Sequence, residues 1–388
     1  MRSRIPTFLR ATCISRKAVT VAVLAMLLLS GIVSSRTVRA QVPAAPQMAQ
    51  IPLQLTSGTQ VDTYLTKAQF QGYVLLARHG RILLSKGYGM ADATTKAPTT
   101  LQTRWPMFGV EGFMVAIAVL RLQEEGKLTV QDTLCTYVHG CPQAWRSLTI
   151  QEMLNGSSTI GIYNPFSVPG TIAATIALCK ATPMLTAPQG VQSDSPCNRV
   201  LLSQVIAQVT HESFGTAMRQ LVFGPAGMTN TGLVTGAPAR SAHGYSAGMA
   251  AVPLEYGGYP LIYATAGNVQ RLDGALLAGK LHSPQSVRAL IAPQWKAAPT
   301  VPLWYADGSY VAKANLWFFA SLNTSIPGRT HRVVAMSDGP DGAGFEIDNL
   351  FSPDDGTIEI ELNNDTGLFS NDADNHFQDH VERLLWGA

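Results

Sequence analysis

The sequence predicts an α+β fold, in which one antiparallel sheet flanked by helices is built from both ends of the chain and carries a mostly helical insertion. Strand patterns occur at residues 73–76 and 82–85 and return only after residue 315, whereas helical periodicity dominates between them. Strands at both ends with helices in between are typical of α+β proteins rather than of repeated βαβ units. Of the 388 residues, 46% are hydrophobic, which suffices for a large buried core.

The first 40 residues have the features of an export signal. A basic stretch is followed by an apolar run at residues 18–33, and Val38-Arg39-Ala40 places small residues where a signal peptidase cleaves. The run is shorter than a spanning helix needs, although Arg36 and Arg39 beyond it leave an uncleaved membrane anchor as the alternative. We predict a signal peptide at residues 1–40, a secreted or periplasmic protein, and no membrane span after cleavage.

The distribution of charge argues against a nucleic-acid partner. The whole chain has 28 basic and 25 acidic residues, but seven basic residues and no acidic residue lie within residues 1–40. The remaining 21 basic and 25 acidic residues give a net charge of −4, so the chain lacks the basic footprint of a nucleic-acid-binding protein.

Composition also separates a linker from the folded domain. Residues 41–60 are rich in Pro, Ala and Gln without periodicity, which predicts a flexible linker. We expect the folded domain at residues 61–388. Its α/β part is predicted from residues 61–104 and 304–388, and its helical part from residues 105–303.

The individual elements follow from local patterns. Arg78-His79-Gly80-Arg81 separates two apolar runs and predicts a hairpin. Residues 110–125 place apolar side chains at helical spacing and end at Gly126, which predicts a central helix. Further helices are predicted at residues 148–155, 201–210, 269–278, 284–291 and 375–386, and further strands at residues 316–322, 332–336, 345–350 and 357–362.

Four cysteines follow the signal peptide, and an even number in an exported protein predicts two disulfides. Cys135–Cys141 with Cys179–Cys197 is the favoured pairing because both bonds close short loops, although three pairings exist and buried free thiols are the alternative. No Cys-x-x-Cys spacing is present. We therefore expect neither a metal site nor a redox motif, and no cofactor.

Five segments carry a resemblance to a known family. They are residues 70–92, residues 122–132, residues 148–154, residues 223–231 and residues 264–279. In this order they resemble the serine β-lactamase-like proteins, a group that includes class C β-lactamases, penicillin-binding proteins, D-aminopeptidases and related esterases. The resemblance covers residues 63–385 and implies a β-lactamase/transpeptidase-like fold.

The resemblance also implies where catalytic residues would stand, and this sequence departs from the family at each place. A Ser-x-x-Lys at the start of the central helix would supply a nucleophile and its base, but these positions fall on Gly109 and Gly112. The Tyr-x-Asn motif falls on Asp194-Ser195-Pro196, and the late Lys-Thr-Gly or His-x-Gly falls on Asp338-Gly339. No lysine in the chain has a serine three residues before it, so a shifted alignment does not restore the pair.

The altered positions suggest an acidic pocket in place of the catalytic site. Glu111, Asp194 and Asp338 lie on segments that converge in the family, with Ser195 beside them. Such a pocket would hold a cationic ligand or a hard metal ion, or would use two carboxylates as an acid/base pair. The alternative interpretation is that these carboxylates are solvated or cap helices. His376 and His380 share a helix face, but a solvated face is a better explanation than a zinc site.

Three serines are alternative nucleophiles. Ser246 lies in a Gly-x-Ser-x-Gly match, but the strand and helix that such an elbow needs are not predicted around it. Ser157 and Ser195 are the others, and Ser195 has no Lys or His beside it in sequence.

We predict an exported pseudoenzyme that has lost serine acylation. It would bind a small molecule, a peptidoglycan-like peptide or an unknown protein partner in the inherited cleft. An active hydrolase with a relocated nucleophile is the alternative, and an enzyme that uses Glu111 and Asp194 is a third reading of the site.

Overall fold

The computed structural model describes a set of residues that all fall within a unit spanning Gln54–Ala388. They are residues 56–161, 170–185, 195–234, 239–246, 248–251, 258–291, 293–296, 311–314, 319–321, 333–338, 343–366, 381 and 384–385. The predicted signal peptide at residues 1–40 lies outside them. Within these ranges, no helix combines the length and the apolar character that crossing a bilayer requires.

The chain forms strands mainly at its two ends and helices in the middle. The strands are β1 (Gly72–Arg78), β2 (Arg81–Tyr88), β3 (Met90–Asp92), β4 (Ala97–Pro98), β5 (Trp105–Pro106), β6 (Gly232–Leu233), β7 (Tyr245–Ser246), β8 (Met249–Ala250), β9 (Ile262–Ala264), β10 (Pro293–Lys296), β11 (Val311–Ala314), β12 (Phe319–Ser321), β13 (Val333–Asp338), β14 (Glu346–Phe351) and β15 (Ile358–Asn363). The α-helices are α1 (Thr56–Lys67), α2 (Phe108–Glu124), α3 (Ile150–Leu154), α4 (Ile172–Ala181), α5 (Pro196–Thr210), α6 (Phe214–Met218), α7 (Gly224–Ala226), α8 (Ala266–Leu277) and α9 (Pro284–Ile291).

The principal sheet joins both ends of the chain. Its eight strands run in the order β10-β11-β12-β13-β14-β15-β1-β2 and every neighbouring pair is antiparallel. β1 pairs with the late strand β15, with Gly72 opposite Asn363 and Leu75 opposite Ile360. The predicted α+β fold with one antiparallel sheet is confirmed.

Two predicted boundaries differ from the structure. β10, at Pro293–Lys296, belongs to the principal sheet although the sequence placed residues 105–303 in the helical part. β10 has the sequence Pro-Gln-Trp-Lys, and a proline without any β-branched neighbour gives no strand signal. α1 begins at Thr56, inside the predicted linker at residues 41–60, because Val61 and Leu65 further along the helix pack under the sheet.

Helix α2 fills the space between the sheet and the helical part. Thirteen of its 17 residues are buried, including Phe113, Ile117 and Leu122, and it packs against β13 and β14. A helix buried on nearly all sides has no polar face, which explains why its sequence is apolar with little amphipathic pattern. The N-terminus of α2 is therefore fixed by packing on the sheet.

The opposite face of the sheet is covered by α1 and by residues near the end of the chain. Val381 and Leu385 pack in one cluster with Val74 and Leu76 of β1. Arg78 connects the layers, because its Nη2 donates to the carbonyl oxygen of Leu385 at 3.0 Å while Nε donates to the hydroxyl of Thr357. Of the predicted helix at residues 375–386, only residues 381, 384 and 385 lie within the described set.

A carboxyl group is buried between α8 and the sheet. Asp273 Oδ1 accepts a hydrogen bond from Asn349 Nδ2 at 3.1 Å, and burial raises the pKa of Asp273 to about 8. Among the described atoms, Asp273 Oδ2 and Asn349 Oδ1 have no hydrogen-bond partner. A proton on Asp273 Oδ2 satisfies both atoms at once, because it completes a cyclic acid–amide pair. We therefore infer that Asp273 is neutral at pH 7.

Two further acids are buried on the other face of the sheet. Glu359 and Glu361 are two residues apart on β15, and Glu361 stands opposite Asp348 of β14. Burial, together with the charge of the neighbouring carboxylates, raises the pKa of both glutamates. With Asp273, these groups bind protons in the folded protein that the unfolded chain releases above about pH 4.

These raised pKa values predict that the protein is most stable in mild acid. Between the unfolded pKa near 4 and the raised folded pKa, the folded state holds more protons, so stability falls as pH rises. Each such group contributes a slope of up to about 1.4 kcal/mol per pH unit. We expect the free energy of unfolding, measured with urea, to fall from about pH 5 to about pH 8.

The Asp273→Asn variant isolates one contribution. An amide at position 273 donates to Asn349 Oδ1 at every pH. The free energy of unfolding of D273N should therefore fall less steeply with pH, by up to about 1.4 kcal/mol per pH unit. The exposed Glu212→Gln substitution is the control and should keep the slope of the unmodified protein. An unchanged slope in D273N would contradict a neutral Asp273.

Candidate functional site

The N-terminus of α2 carries the two positions at which the resemblance placed a nucleophile and its base. Gly109 is half-buried and Gly112 is buried, and they lie one helical turn apart on the same face. Met107 precedes the helix without a side-chain cap. Neither glycine offers an atom that attacks a carbonyl group or accepts a proton.

The backbone just before Gly109 is in an unusual conformation. Phe108 has a φ of 20°, although it is neither glycine nor exposed. Its ring lies 6.0 Å from that of Phe345, which also contacts Trp105 in an edge-on arrangement. Aromatic packing therefore holds the start of α2 in a sparsely populated backbone region, as is common at functional sites.

Glu111 is fully buried and bonded inside the protein. Its Oε2 accepts the backbone N–H of Ile262 in β9 at 3.1 Å. Its carboxylate also accepts a hydrogen bond from the hydroxyl of Tyr259, and that hydroxyl in turn accepts one from Arg199 Nη1 at 3.0 Å. Glu111 thus faces a buried network rather than an open acidic pocket.

The network of Glu111, Tyr259 and Arg199 joins three separate segments of the helical part. Burial is the main cause that raises the pKa of Tyr259 well above its usual value; the Arg199 cation opposes this and the Glu111 anion adds to it. The tyrosine hydroxyl therefore stays protonated and can donate to the carboxylate. A charge-assisted chain of this kind is stable in the interior because each charged group has an oppositely charged or hydrogen-bonding neighbour.

The second motif segment forms the start of α5. Ser195 is the N-cap and Pro196 is the first helical residue, a position where proline is favoured because the missing N–H would have no helical partner. Ser195 is fully buried, its Oγ donates to the carbonyl of Gly161 at 2.7 Å, and it accepts the N–H of Cys197. Asp194 lies outside the described residues.

The late strand β13 ends at Asp338, whose backbone is paired with that of Ile347. The placement of the Asp338 side chain is not described, and Gly339 lies outside the described residues. The next described turn is tightly packed, since a Cβ on Gly344 would come 2.4 Å from the backbone nitrogen of Tyr245. Gly344 also has a φ of 72°, so this close crossing requires glycine.

The described contacts connect the N-terminal end of α2 with two neighbouring segments. The network of Glu111 connects α2 with α5 through Tyr259, and the rings of Phe108 and Phe345 connect α2 with the turn before β14. The meeting of all three motif positions stays a prediction, because Asp194 and Gly339 lie outside the described residues. The described segments bring a helix start with no side-chain nucleophile next to a buried ionic network.

The alternative serines are dispersed. Ser157 donates its hydroxyl to Asn155 Oδ1 at 2.6 Å in the turn after α3, which is a local turn contact. Ser195 is occupied as a helix cap. Ser246 is exposed in the short hairpin of β7 and β8, so the strand-to-helix context of a nucleophile elbow is not formed.

No group of three or more His, Cys, Asp or Glu side chains arranged to hold a metal ion occurs among the described residues. His376 and His380 are outside that set, so the structure does not place them.

Sequence reasoning missed Arg199 and Tyr259. The available signal was Arg199 directly before the apolar run from Val200 to Leu202, since a buried arginine needs a partner. The pairing of Ser158 with Asn198 was also missed; Ser158 Oγ donates to Asn198 Oδ1 at 2.6 Å, and both residues are fully buried. Neither partner could be identified from local patterns, because the partners lie 40 to 60 residues away along the chain.

Known proteins resemble this chain over most of its length. The family model described as Beta-lactamase matches residues 59–341. The putative penicillin-binding protein PbpX of Bacillus subtilis (strain 168) is 27% identical over 265 residues, which cover 65% of this chain and 66% of that relative, just under two thirds of its length.

Solved structures share the fold at low identity. FmtA from Staphylococcus aureus superposes with a TM-score of 0.67 and 17% identity, covering 84% of this chain and 89% of that chain. The penicillin-binding protein from Bacillus halodurans gives a TM-score of 0.67 and 20% identity, covering 84% of this chain and 98% of that chain. At these identities the likeness supports the fold.

The buried network predicts a specific cost for losing one hydroxyl. Tyr259→Phe removes the group that bonds both Glu111 and Arg199, so we expect the free energy of unfolding to fall by about 2–3 kcal/mol. Urea denaturation at pH 7 measures it. Tyr263→Phe removes the hydroxyl of a half-buried tyrosine outside the network and should change stability by less than about 0.5 kcal/mol. Equal effects of the two substitutions would argue against the network.

Proposed function

This chain belongs to the beta-lactamase family, and we propose that it is an exported member that no longer acylates and binds a ligand in the inherited cleft. The ligand class we propose is a small molecule or a peptidoglycan-like peptide, with a protein partner as the alternative occupant. One observation carries the proposal: the helix start that the resemblance assigns to the nucleophile and base has glycine at both positions.

The chemistry of acylation supports this reading. A covalent acyl intermediate needs a nucleophile within hydrogen-bond reach of a base. Gly109 and Gly112 supply neither, and Pro196 has no amide side chain to hold a substrate. Because Glu111 is bonded to Tyr259 and to the Ile262 backbone, its carboxylate is not available as a substitute base.

Retention of the scaffold supports binding rather than loss of all function. The α2 start has an unusual backbone at Phe108, whose ring packs against Phe345 in the turn before β14. A conformation of this kind costs of order 1–3 kcal/mol and persists only when its surroundings hold it. We infer that the cleft shape is maintained for a non-covalent ligand.

Export is part of the same proposal. The structure pairs Cys135 with Cys141 and Cys179 with Cys197, the pairing that loop length favoured. Disulfides persist in oxidising compartments outside the cytosol. Together with the signal-like residues 1–40, they support a secreted or periplasmic protein.

An active hydrolase with a relocated nucleophile is the second candidate. Ser246 supports it best, since its side chain is exposed on the β7–β8 hairpin. His243, three residues earlier, is also exposed, but its Nδ1 lies 4.0 Å from Asp92 Oδ1. The two candidates differ in one chemical property, the formation of a covalent adduct.

Intact mass separates them directly. We expect no mass shift when the purified mature protein is exposed to a penicillin or, separately, to a fluorophosphonate, because none of the candidate serines in the described part of the chain is hydrogen-bonded to a Lys or His side chain. A catalytically active class C β-lactamase is the control for the reagents. A stoichiometric adduct would overturn the proposal, and peptide mapping to Ser157, Ser195 or Ser246 would identify the nucleophile.

Thermal unfolding tests whether the protein binds the proposed ligand. We expect a peptide ending in D-Ala-D-Ala to raise the Tm, because a ligand at about 100 times its Kd stabilises the folded state by about 2.7 kcal/mol. Gly109→Leu should abolish this rise, since Leu would fill the space beside the half-buried helix start. Glu212→Gln, on an exposed loop, is the control that should keep it. If the peptide leaves the Tm of the unmodified protein unchanged, this ligand class is excluded.

A further inference from the structure

Helix α4 is unusually exposed for an apolar helix. Among its ten residues only Thr175 and Cys179 are fully buried, while Ile172 and Ile176 are half-buried and several alanines are exposed. An isolated helix of this length is marginal in water, and burial of one stripe normally supplies the missing stability. Because α4 buries so little, specific connections must hold it.

One such connection is covalent. Cys179 of α4 is bonded to Cys197 at the start of α5, and both cysteines are fully buried. The neighbouring Lys180 donates from Nζ to the carbonyl oxygen of His139 at 2.6 Å. His139 lies inside the loop closed by the second disulfide, Cys135–Cys141, so both disulfides act on the same helix.

The residues after α4 contact a segment that supports the start of α5. Leu185 donates its N–H to the carbonyl of Thr159 at 2.7 Å, and a Cβ on Gly161 would come 2.3 Å from the carbonyl oxygen of Pro183. Gly161 in turn accepts the hydroxyl of Ser195, the N-cap of α5. Residues 172–185, which we call the strap, therefore lie against the segment that supports the second motif position.

The two disulfides differ in their access to solvent. Cys135 and Cys141 are half-buried in a short loop whose His139 and Gly140 are exposed. Cys179 and Cys197 each have a relative exposure of 0%. A thiolate must reach a sulfur atom in order to exchange with it, so access sets the order of attack.

We propose that the strap is a redox-controlled element that two disulfides hold against the N-terminus of α5, and that a dithiol reductant releases it in a fixed order. The reductant thiolate attacks a sulfur of Cys135–Cys141, forms a mixed disulfide and expels the other cysteine as a thiolate. The second thiol of the reductant then displaces the protein sulfur, leaving two cysteine thiols and an oxidised cyclic reductant. Once this loop is no longer closed, the His139 carbonyl moves and its hydrogen bond to Lys180 is lost, so α4 can move away. Cys179–Cys197 then becomes accessible and is reduced by the same two steps.

Timed alkylation tests the order. The oxidised mature chain is treated with dithiothreitol, quenched with iodoacetamide at intervals and mapped by mass spectrometry, with hydrogen exchange measured in parallel. We expect Cys135 and Cys141 to be alkylated first. Alkylation of Cys179 and Cys197 should follow together with faster exchange in residues 172–185, while β1 and β15 stay protected. Simultaneous or reversed reduction, or a strap that remains protected after both bonds are reduced, would overturn the proposal.

A lysine substitution tests the connection between the two disulfides. Lys180→Met removes the hydrogen bond to His139 and keeps all four cysteines, so the reduction of Cys179–Cys197 should become roughly tenfold faster. The reduction of Cys135–Cys141 should keep its rate. The exposed Lys96→Met substitution is the matched control and should change neither rate. If K180M behaves as K96M does, the two disulfides are independent and the proposed order has no structural cause.

Discussion

The burial of helix α2 is the constraint on which the rest of this structure depends. The helix is enclosed by the sheet on one side and by the helical part on the other, so a polar group on one of its buried residues must find its partner inside the protein. Glu111 meets this requirement through Tyr259, Arg199 and the Ile262 backbone. α2 is consequently held to α5 and to the segment around Tyr259 and Ile262 by an internal ionic network.

This arrangement separates two properties that active relatives are expected to combine. The backbone position of the α2 start depends on the sheet and on the packing of Phe108 against Phe345. The chemistry depends on side chains at a few positions, and Gly109 and Gly112 have none. Fold and function can therefore change independently, because the fold positions the backbone of the site while its side chains determine the reaction.

The sequence predicted most of the architecture because its elements have strong local patterns. Helix α9 was predicted with its observed bounds, and the predicted bounds of β1, β13, β14 and β15 lie within two residues of those observed. β2 continues three residues beyond its predicted end, and β10 and β11 were not predicted. Helix α4 was missed because its run of alanines and isoleucines lacks a polar face, and β10 because it contains a proline and no β-branched residue. The Glu111 network was beyond local reasoning, since its members meet only through tertiary packing, and Asp194 and Gly339 lie outside the described residues.

The same network has an evolutionary consequence. Removing Glu111, Tyr259 or Arg199 alone would leave a buried polar or charged group without one of its partners. The three side chains are therefore expected to be exchanged together in related sequences rather than one at a time. Positions that lie far apart along the chain are in this way constrained as a single unit.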